Sequence, residues 1–156
     1  MPGAFVHRLR VRYGECDRQG LVFNPHYYAY FDVALTELWR ASIGPYTDMM
    51  ASGVDMVVAE SRARYLAPAG FDDELDVEVV VSRLGRTSLG TSLRVLRAGD
   101  PVVEGAMRHV FINTATRRPT EIPPPVRAGL TRYVASPADG VAPADGPAAP
   151  PAGRVA

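Results

Sequence analysis

Between residues 24 and 43 the apolar positions recur at helical spacing. Tyr27, Tyr28, Phe31, Leu35, Leu38 and Trp39 fall on one broad face. Asn24 is placed to cap the start through its side chain, and Pro25 suits a first helical position, where no donor is needed. Gly44-Pro45 is a stop signal. The pattern predicts a helix from Pro25 to Ile43. Its apolar face is wide and aromatic, so it is expected to be deeply covered.

Elsewhere the period is two. Phe5, His7, Leu9, Val11 and Tyr13 alternate with Val6, Arg8, Arg10 and Arg12, which predicts a strand with one wet face. Pro45 to Gly53 reads as a short second helix. Asp55–Leu66, Leu75–Leu84, Ser88–Arg97 and Val102–Asn113 read as four further strands. The punctuation between them is Ala67-Pro68-Ala69-Gly70, Gly85-Arg86-Thr87 and Ala98-Gly99-Asp100-Pro101. These short connections predict an antiparallel meander. A strand, a long helix and four strands make an α+β chain, in which a twisted sheet can wrap one helix and bury its face. From about Ala135 the chain is Ala, Pro, Gly and Asp without periodicity, which predicts a disordered tail over residues 135–156 behind one domain at residues 1–134.

Composition narrows the function. At 156 residues and 47% apolar, the chain is long enough for one well-filled core. Its 17 basic and 17 acidic side chains balance, which argues against a nucleic-acid partner held by a strongly basic surface. Every basic residue among the 17 is arginine; the absence of lysine excludes a lysine Schiff base and a P-loop lysine. Cys16 is the single cysteine, so no disulfide forms within the chain, and three scattered histidines with one cysteine do not make a zinc site. No run approaches the ~20 apolar residues that span a bilayer, and the first residues lack a signal-peptide core. A soluble, cytoplasmic chain is expected. There is no G-x-S-x-G, no G-x-G-x-x-G and no Walker sequence, so nothing points to a serine nucleophile or a nucleotide.

The chemistry concentrates in the turn before the long helix. A helix start presents N–H donors and a partial positive charge. Asp17 stands beside it, where a carboxylate could work with those donors; the plainer reading is that it stabilises a turn. Glu15 is a rival carboxylate, expected to pair with an arginine or face water. His26 reads as a partly exposed interface residue, and His7 and His109 as structural.

Several runs carry a resemblance: Tyr13-Gly14-Glu15-Cys16-Asp17, Gly20-Leu21-Val22-Phe23-Asn24, Tyr27-Tyr28, Phe31-Asp32, Tyr65-Leu66-Ala67-Pro68-Ala69 with Asp72-Asp73, and Arg86-Thr87-Ser88. With the element order, they make the chain resemble the hotdog-fold acyl-CoA thioesterases, in particular the 4-hydroxybenzoyl-CoA thioesterase group. The similarity covers roughly residues 5–125. It implies a five-stranded antiparallel sheet wrapped around one long central helix, a homodimer or homotetramer with active sites at the dimer interface, and an acyl-CoA or acyl-carrier thioester as substrate. It implies no metal or other cofactor. Asp17 takes the place of the catalytic carboxylate, as general base or nucleophile, and the backbone N–H near Asn24 that of the oxyanion donor. Arg86, Thr87 and Ser88, with Arg118 and Arg117, fall where family members contact the CoA phosphates. Tyr27 is near enough to the helix start to line an acyl pocket. Gly20 and Val58 are counted among the substrate-binding positions, and pocket length and polarity depend on residues such as Val57, Val58 and Ala59. A carrier-protein thioesterase and a non-catalytic acyl-thioester-binding domain are the alternatives.

Overall fold

Helix α1 spans His26–Ser42, close to its apolar pattern. Its start differs from expectation. The N–H groups of His26, Tyr27 and Tyr28 bond to the carbonyls of Phe23, Asn24 and Pro25 at 2.9, 3.3 and 3.1 Å. This tight entry consumes the donors that a side-chain cap would take. The Asn24 side chain accordingly makes no hydrogen bond among the described residues.

The structure, a computed structural model, describes residues 3–136. The remaining elements are β1 (Phe5–Arg10), a 3-10 turn (Tyr13–Glu15), α2 (Tyr46–Ala51), β2 (Val54–Tyr65), β3 (Glu74–Leu84), β4 (Ser88–Arg97), β5 (Asp100–Asn113) and α3 (Pro124–Thr131). The tail reading falls on residues 137–156, outside the described residues. Ala135, inside them, still donates to Val81 O at 2.9 Å.

The five strands form one antiparallel sheet in the order β1-β3-β4-β5-β2. This corrects the four-strand meander. β3, β4 and β5 do follow one another through hairpins, the second closed by Ala98-Gly99 with φ of 50° and 89°. β2 instead lies beyond β5 and pairs with it from Val54↔Asn113 to Tyr65↔Val103. Residues 66–73 do not close a hairpin; they cross the end of the sheet and stitch it to the turn before α1. Val22 donates to Ala69 O (2.9 Å), Phe71 to Gly20 O (3.3 Å) and Val11 to Asp73 O (2.9 Å).

The alternation in each strand sorts side chains onto two faces. One face carries Val77 and Val79 of β3, Leu89, Leu93 and Val95 of β4, and Val103, Met107 and Phe111 of β5, all buried. α1 lies across this face with Tyr27, Tyr30, Phe31, Ala34, Leu35, Leu38 and Trp39 buried. A residue such as Phe31, with none of its surface exposed, stabilises the fold by about 1.5–3 kcal/mol through removal from water. The helix is not covered all round: Ala29, Asp32, Val33, Thr36 and Arg40 form a stripe open to solvent in the single chain. α3, which the periodicity reading passed over, packs on the end of α1. A Cβ on Gly129 would stand 2.6 Å from Ile43 Cγ1. None of the helices among the described residues is long and apolar enough to cross a membrane.

At Gly105 a helix side chain packs directly against the backbone of the sheet. A Cβ there would sit 2.4 Å from Phe31 Cζ and 2.5 Å from Cε2, against the tip of a fully buried ring. We expect Gly105→Ala to lose about 1–3 kcal/mol by overpacking, read as a lower urea midpoint with an unchanged slope. A second expectation concerns acid. Asp73 accepts from Gly70 N–H (2.8 Å) and Arg97 (3.1 Å), and Asp76 from Arg8 (2.8 and 2.9 Å). The backbone bond at Gly70 and the Arg8 guanidinium, respectively, hold these carboxyls below the usual range. Their contribution is therefore present above the unfolded pKa of about 4 and lost as pH falls through the lower folded values. The urea midpoint should drop below about pH 4, and less steeply in Asp73→Asn and Asp76→Asn.

Candidate active site

The turn after the 3-10 segment is built by three successive residue choices. Asp17 opens a tight turn in which Gly20 N–H returns to Asp17 O at 3.0 Å. Gly20, at φ 75°, supplies the left-handed conformation that lets the chain double back. Asp17 N–H then meets Leu21 O at 2.7 Å. The Asp17 carboxylate completes the turn from inside, Oδ1 accepting from the N–H groups of Gln19 (2.8 Å) and Leu21 (3.3 Å). Oδ2 has no partner among the described residues. The turn-stabilising role and a presented oxygen are thus both features of the same carboxylate.

Two residues earlier the situation differs. Glu15 Oε2 accepts from Arg12 N–H at 2.8 Å and from the Tyr30 hydroxyl at 2.7 Å. Tyr30 is buried on α1, and burial, with the bond to Glu15, pushes its phenol far above the ordinary range. Glu15 therefore ties the turn to the helix through a phenol and a peptide, not through an arginine as expected. Between the two acids, burial and then the charges of Asp17 and Glu15 push the Cys16 thiol up. That direction disfavours the thiolate a cysteine nucleophile needs.

Asn24 contributes its backbone. Its N–H has no acceptor among the described residues. The preceding carbonyl, Phe23 O, points into the helix and accepts from His26 N–H. In a trans peptide the N–H points the opposite way, so the Asn24 donor faces outward from the start of α1. The Asn24 carbonyl is held in turn by Tyr27 N–H and by the Tyr65 hydroxyl at 3.2 Å.

Asp17, Asn24 and Tyr27 meet in one cleft of about 350 Å³, walled by Leu21, Val22, Tyr65, Leu66, Ala67 and Pro68. Tyr27 is buried and sets its ring edge against Tyr65, with centroids 5.7 Å apart. Burial raises its phenol to about 12, against a backbone hydrogen bond at Ala69 that lowers it. Tyr65 to Pro68 were not assigned site roles from sequence. Their signal was an inward-facing aromatic ending the Ser61, Ala63, Tyr65 alternation, just before the breaker run. His26 lies beside Phe23 (ring centroids 6.2 Å) and outside the cleft lining.

The other expected residues lie elsewhere. Gly20 shapes the turn but does not line the cleft. Arg86, Thr87 and Ser88 occupy the β3–β4 turn, with Arg86 exposed and paired to Glu121 at 3.0 Å. Arg118 is brought beside them by backbone bonds, Asn113 N to Arg118 O (2.9 Å) and Ile122 N to Arg86 O (3.0 Å). Val58 stands half-exposed on the β2 edge near this end. The registers place Val58, His109 and Leu89 in one row and Tyr65, Val103 and Val95 in another. Six residues along β5 separate these rows, about 20 Å at 3.3 Å per residue. One chain therefore holds two clusters at opposite ends of its sheet and does not bring them together. No three His, Cys, Asp or Glu side chains are grouped to hold a metal among the described residues.

Comparison with known proteins adds an independent line. The profile of the thioesterase-like superfamily matches residues 11–130. The chain is 28% identical over 116 residues to the acyl-CoA thioester hydrolase YbgC of Escherichia coli, covering 74% of this chain and 87% of that protein. A hypothetical protein from Thermus thermophilus, of known structure, is 30% identical, with a TM-score of 0.76 over 82% of this chain and 98% of that one. A 1,4-dihydroxy-2-naphthoyl-CoA thioesterase from Synechocystis shares the fold at 15% identity, with a TM-score of 0.77 over 82% and 96% of the two chains.

The contrast between the two acids is open to direct measurement. Glu15→Ala leaves the Tyr30 hydroxyl and the Arg12 N–H without their acceptor, and should cost about 1–3 kcal/mol of stability. In a double-mutant cycle with Tyr30→Phe, the two losses should be less than additive; simple additivity would remove the link between turn and helix.

Proposed function

The chain belongs to the thioesterase-like superfamily, and on that premise we propose that it hydrolyses an acyl-CoA thioester to a carboxylic acid and free CoA. The observation that carries the reading is the pairing, in one cleft, of a fixed carboxylate whose second oxygen has no partner among the described residues and an outward-facing N–H at a helix start. Hydrolysis forms a C–O bond, breaks the C–S bond and passes through a tetrahedral oxyanion. Asp17 acts through Oδ2, either taking a proton from the attacking water or attacking the carbonyl itself. The two hydrogen bonds on Oδ1 fix its direction. The Asn24 N–H receives the oxyanion, helped by the positive end of α1. Tyr27 and Tyr65 flank the acyl group.

The CoA moiety is assigned to the other end of the sheet, at Arg86, Thr87, Ser88 and Arg118, where guanidinium groups suit phosphates. These reach a thioester at Asp17 only from a second subunit. Among the described residues β2 is an edge strand with an open side, and a two-fold pairing of such edges is antiparallel. That pairing sets the Tyr65 end of one chain beside the Val58 end of its partner. A homodimer is the smallest complete enzyme on this reading; a homotetramer repeats it. The family relation to an acyl-CoA thioester hydrolase favours CoA over a carrier protein.

Asp17→Asn should lower kcat by about 10²–10⁴-fold against a panel of short, long and aromatic acyl-CoAs, with the melting temperature little changed. Near wild-type turnover by this variant would sink the mechanism. Single turnover in H₂¹⁸O identifies direct attack when water opens the mixed anhydride at the aspartyl carbonyl: the label then enters Asp17 and the released acid keeps ¹⁶O, whereas water activation puts ¹⁸O in the acid. The same acyl group offered on CoA and on carrier protein decides the carrier, and tight acyl-CoA binding without thiol release would mark a binding domain instead. Mixing Asp17→Asn subunits with Arg86→Ala/Arg118→Ala subunits should recover activity if the site spans two chains.

A further inference from the structure

Tyr65 stands where the two halves of the cleft meet. It is the last residue of β2, and its inward direction follows from the strand alternation that pairs it with Val103. Its ring contacts Tyr27, and its hydroxyl donates to Asn24 O at 3.2 Å. It is the one side chain among the described residues that hydrogen-bonds to Asn24. Roughly half of it stays exposed, so it lies on the cleft wall and not in the core.

Asn24 is an unusual place for such a grip. Among the described residues its side chain makes no hydrogen bond. Its peptide precedes Pro25, whose ring removes one degree of backbone freedom. Its carbonyl has a second partner in Tyr27 N–H at 3.3 Å, and both this bond and the 3.2 Å bond from Tyr65 lie just beyond ordinary lengths. The Tyr27 bond comes from within the helix, and among the described residues the Tyr65 hydroxyl is the side chain that reaches this carbonyl from outside it. Holding the carbonyl on one side of the Asn24 Cα, while Phe23 O is held on the other, leaves the Asn24 N–H little freedom to turn.

We propose that Tyr65 is a positioning residue for the oxyanion donor. Through the Asn24 carbonyl it holds the Asn24 N–H in the direction where negative charge develops, and it does so without touching the reacting carbonyl. The inference rests on the thioesterase reading. It adds to that reading a division of labour. β2 supplies the strand edge for subunit pairing and, at its last residue, the clamp on the neighbouring helix start. Strand and helix are thereby coupled at the atom that must not move. The interaction matters more in the transition state than in the bound substrate, because a thioester carbonyl accepts a weak hydrogen bond and an oxyanion a strong one.

The test is Tyr65→Phe, which keeps the ring against Tyr27 and removes only the hydroxyl. It is measured with the acyl-CoA of highest turnover in the panel, beside Asp17→Asn. We expect kcat to fall about tenfold or more with KM within about twofold, at an unchanged melting temperature. A second readout is the carbonyl stretch of a bound ketone analogue of the same acyl-CoA, with CH₂ in place of sulfur. In wild type the stretch should move to lower frequency, and Tyr65→Phe should lose a clear part of that shift. A raised KM with kcat intact would make Tyr65 a mere wall, and an unchanged carbonyl stretch would overturn the positioning role. If Asp17→Asn is inactive while Tyr65→Phe matches wild type on both readouts, this inference alone fails. If wild type releases no thiol from any acyl-CoA, the thioesterase reading fails and takes this inference with it.

Discussion

The packing of Phe31 onto Gly105 sets the relation between helix and sheet. The ring lies where any side chain on residue 105 would have to be, so this packing requires glycine at that position. One helical turn toward the N-terminus is a rise of about 5.4 Å; two residues along a strand cover about 6.6 Å. Stepping both from this contact leads from Phe31 to Tyr27 and from Gly105 to Val103. Val103 is the register partner of Tyr65. The aromatic pair Tyr27–Tyr65 and the hydroxyl contact to Asn24 thus follow from a contact one turn away. The core does more than exclude water here: it places the start of the helix over the end of β2.

The turn at Asp17 shows how two similar side chains acquire different work. Glu15 and Asp17 lie in the same short segment and carry the same charge. Glu15 spends its presented oxygen on a peptide and a buried phenol. Asp17 satisfies its turn with one oxygen and retains the other. The difference is side-chain length: the longer glutamate reaches Tyr30 on the helix, whereas the shorter aspartate can reach only its own turn.

What the sequence discloses here is mostly local. The period of Tyr27 to Trp39 placed the helix, and the alternation in β3 and β4 placed its cover. The register of Asp17, Asn24 and Tyr27 around one helix start made a shared cleft foreseeable. The position of β2 was not legible, because connector length distinguishes a hairpin from a crossing poorly when the connector packs against other loops. Residues 66–73 bond to Val11, Gly20 and Val22, partners remote in sequence. The same limit hid the Tyr65 contact with Asn24 and the Tyr30 contact with Glu15. α3 escaped because two turns with Val126 and Leu130 as the apolar pair give a short signal behind three prolines. The side-chain cap at Asn24 was a sound local rule displaced by a competing one, the tight turn that uses the same donors.

The separation of the two clusters by the length of a strand has a consequence in mass action. On the proposed arrangement each subunit carries both a reacting end and a binding end, yet neither is of use to the other within one molecule. Catalytic capacity then belongs to the associated species and not to the chain. Specific activity becomes a function of protein concentration, vanishing on dilution well below the dissociation constant of the pair, and every two-fold pairing creates two sites at once.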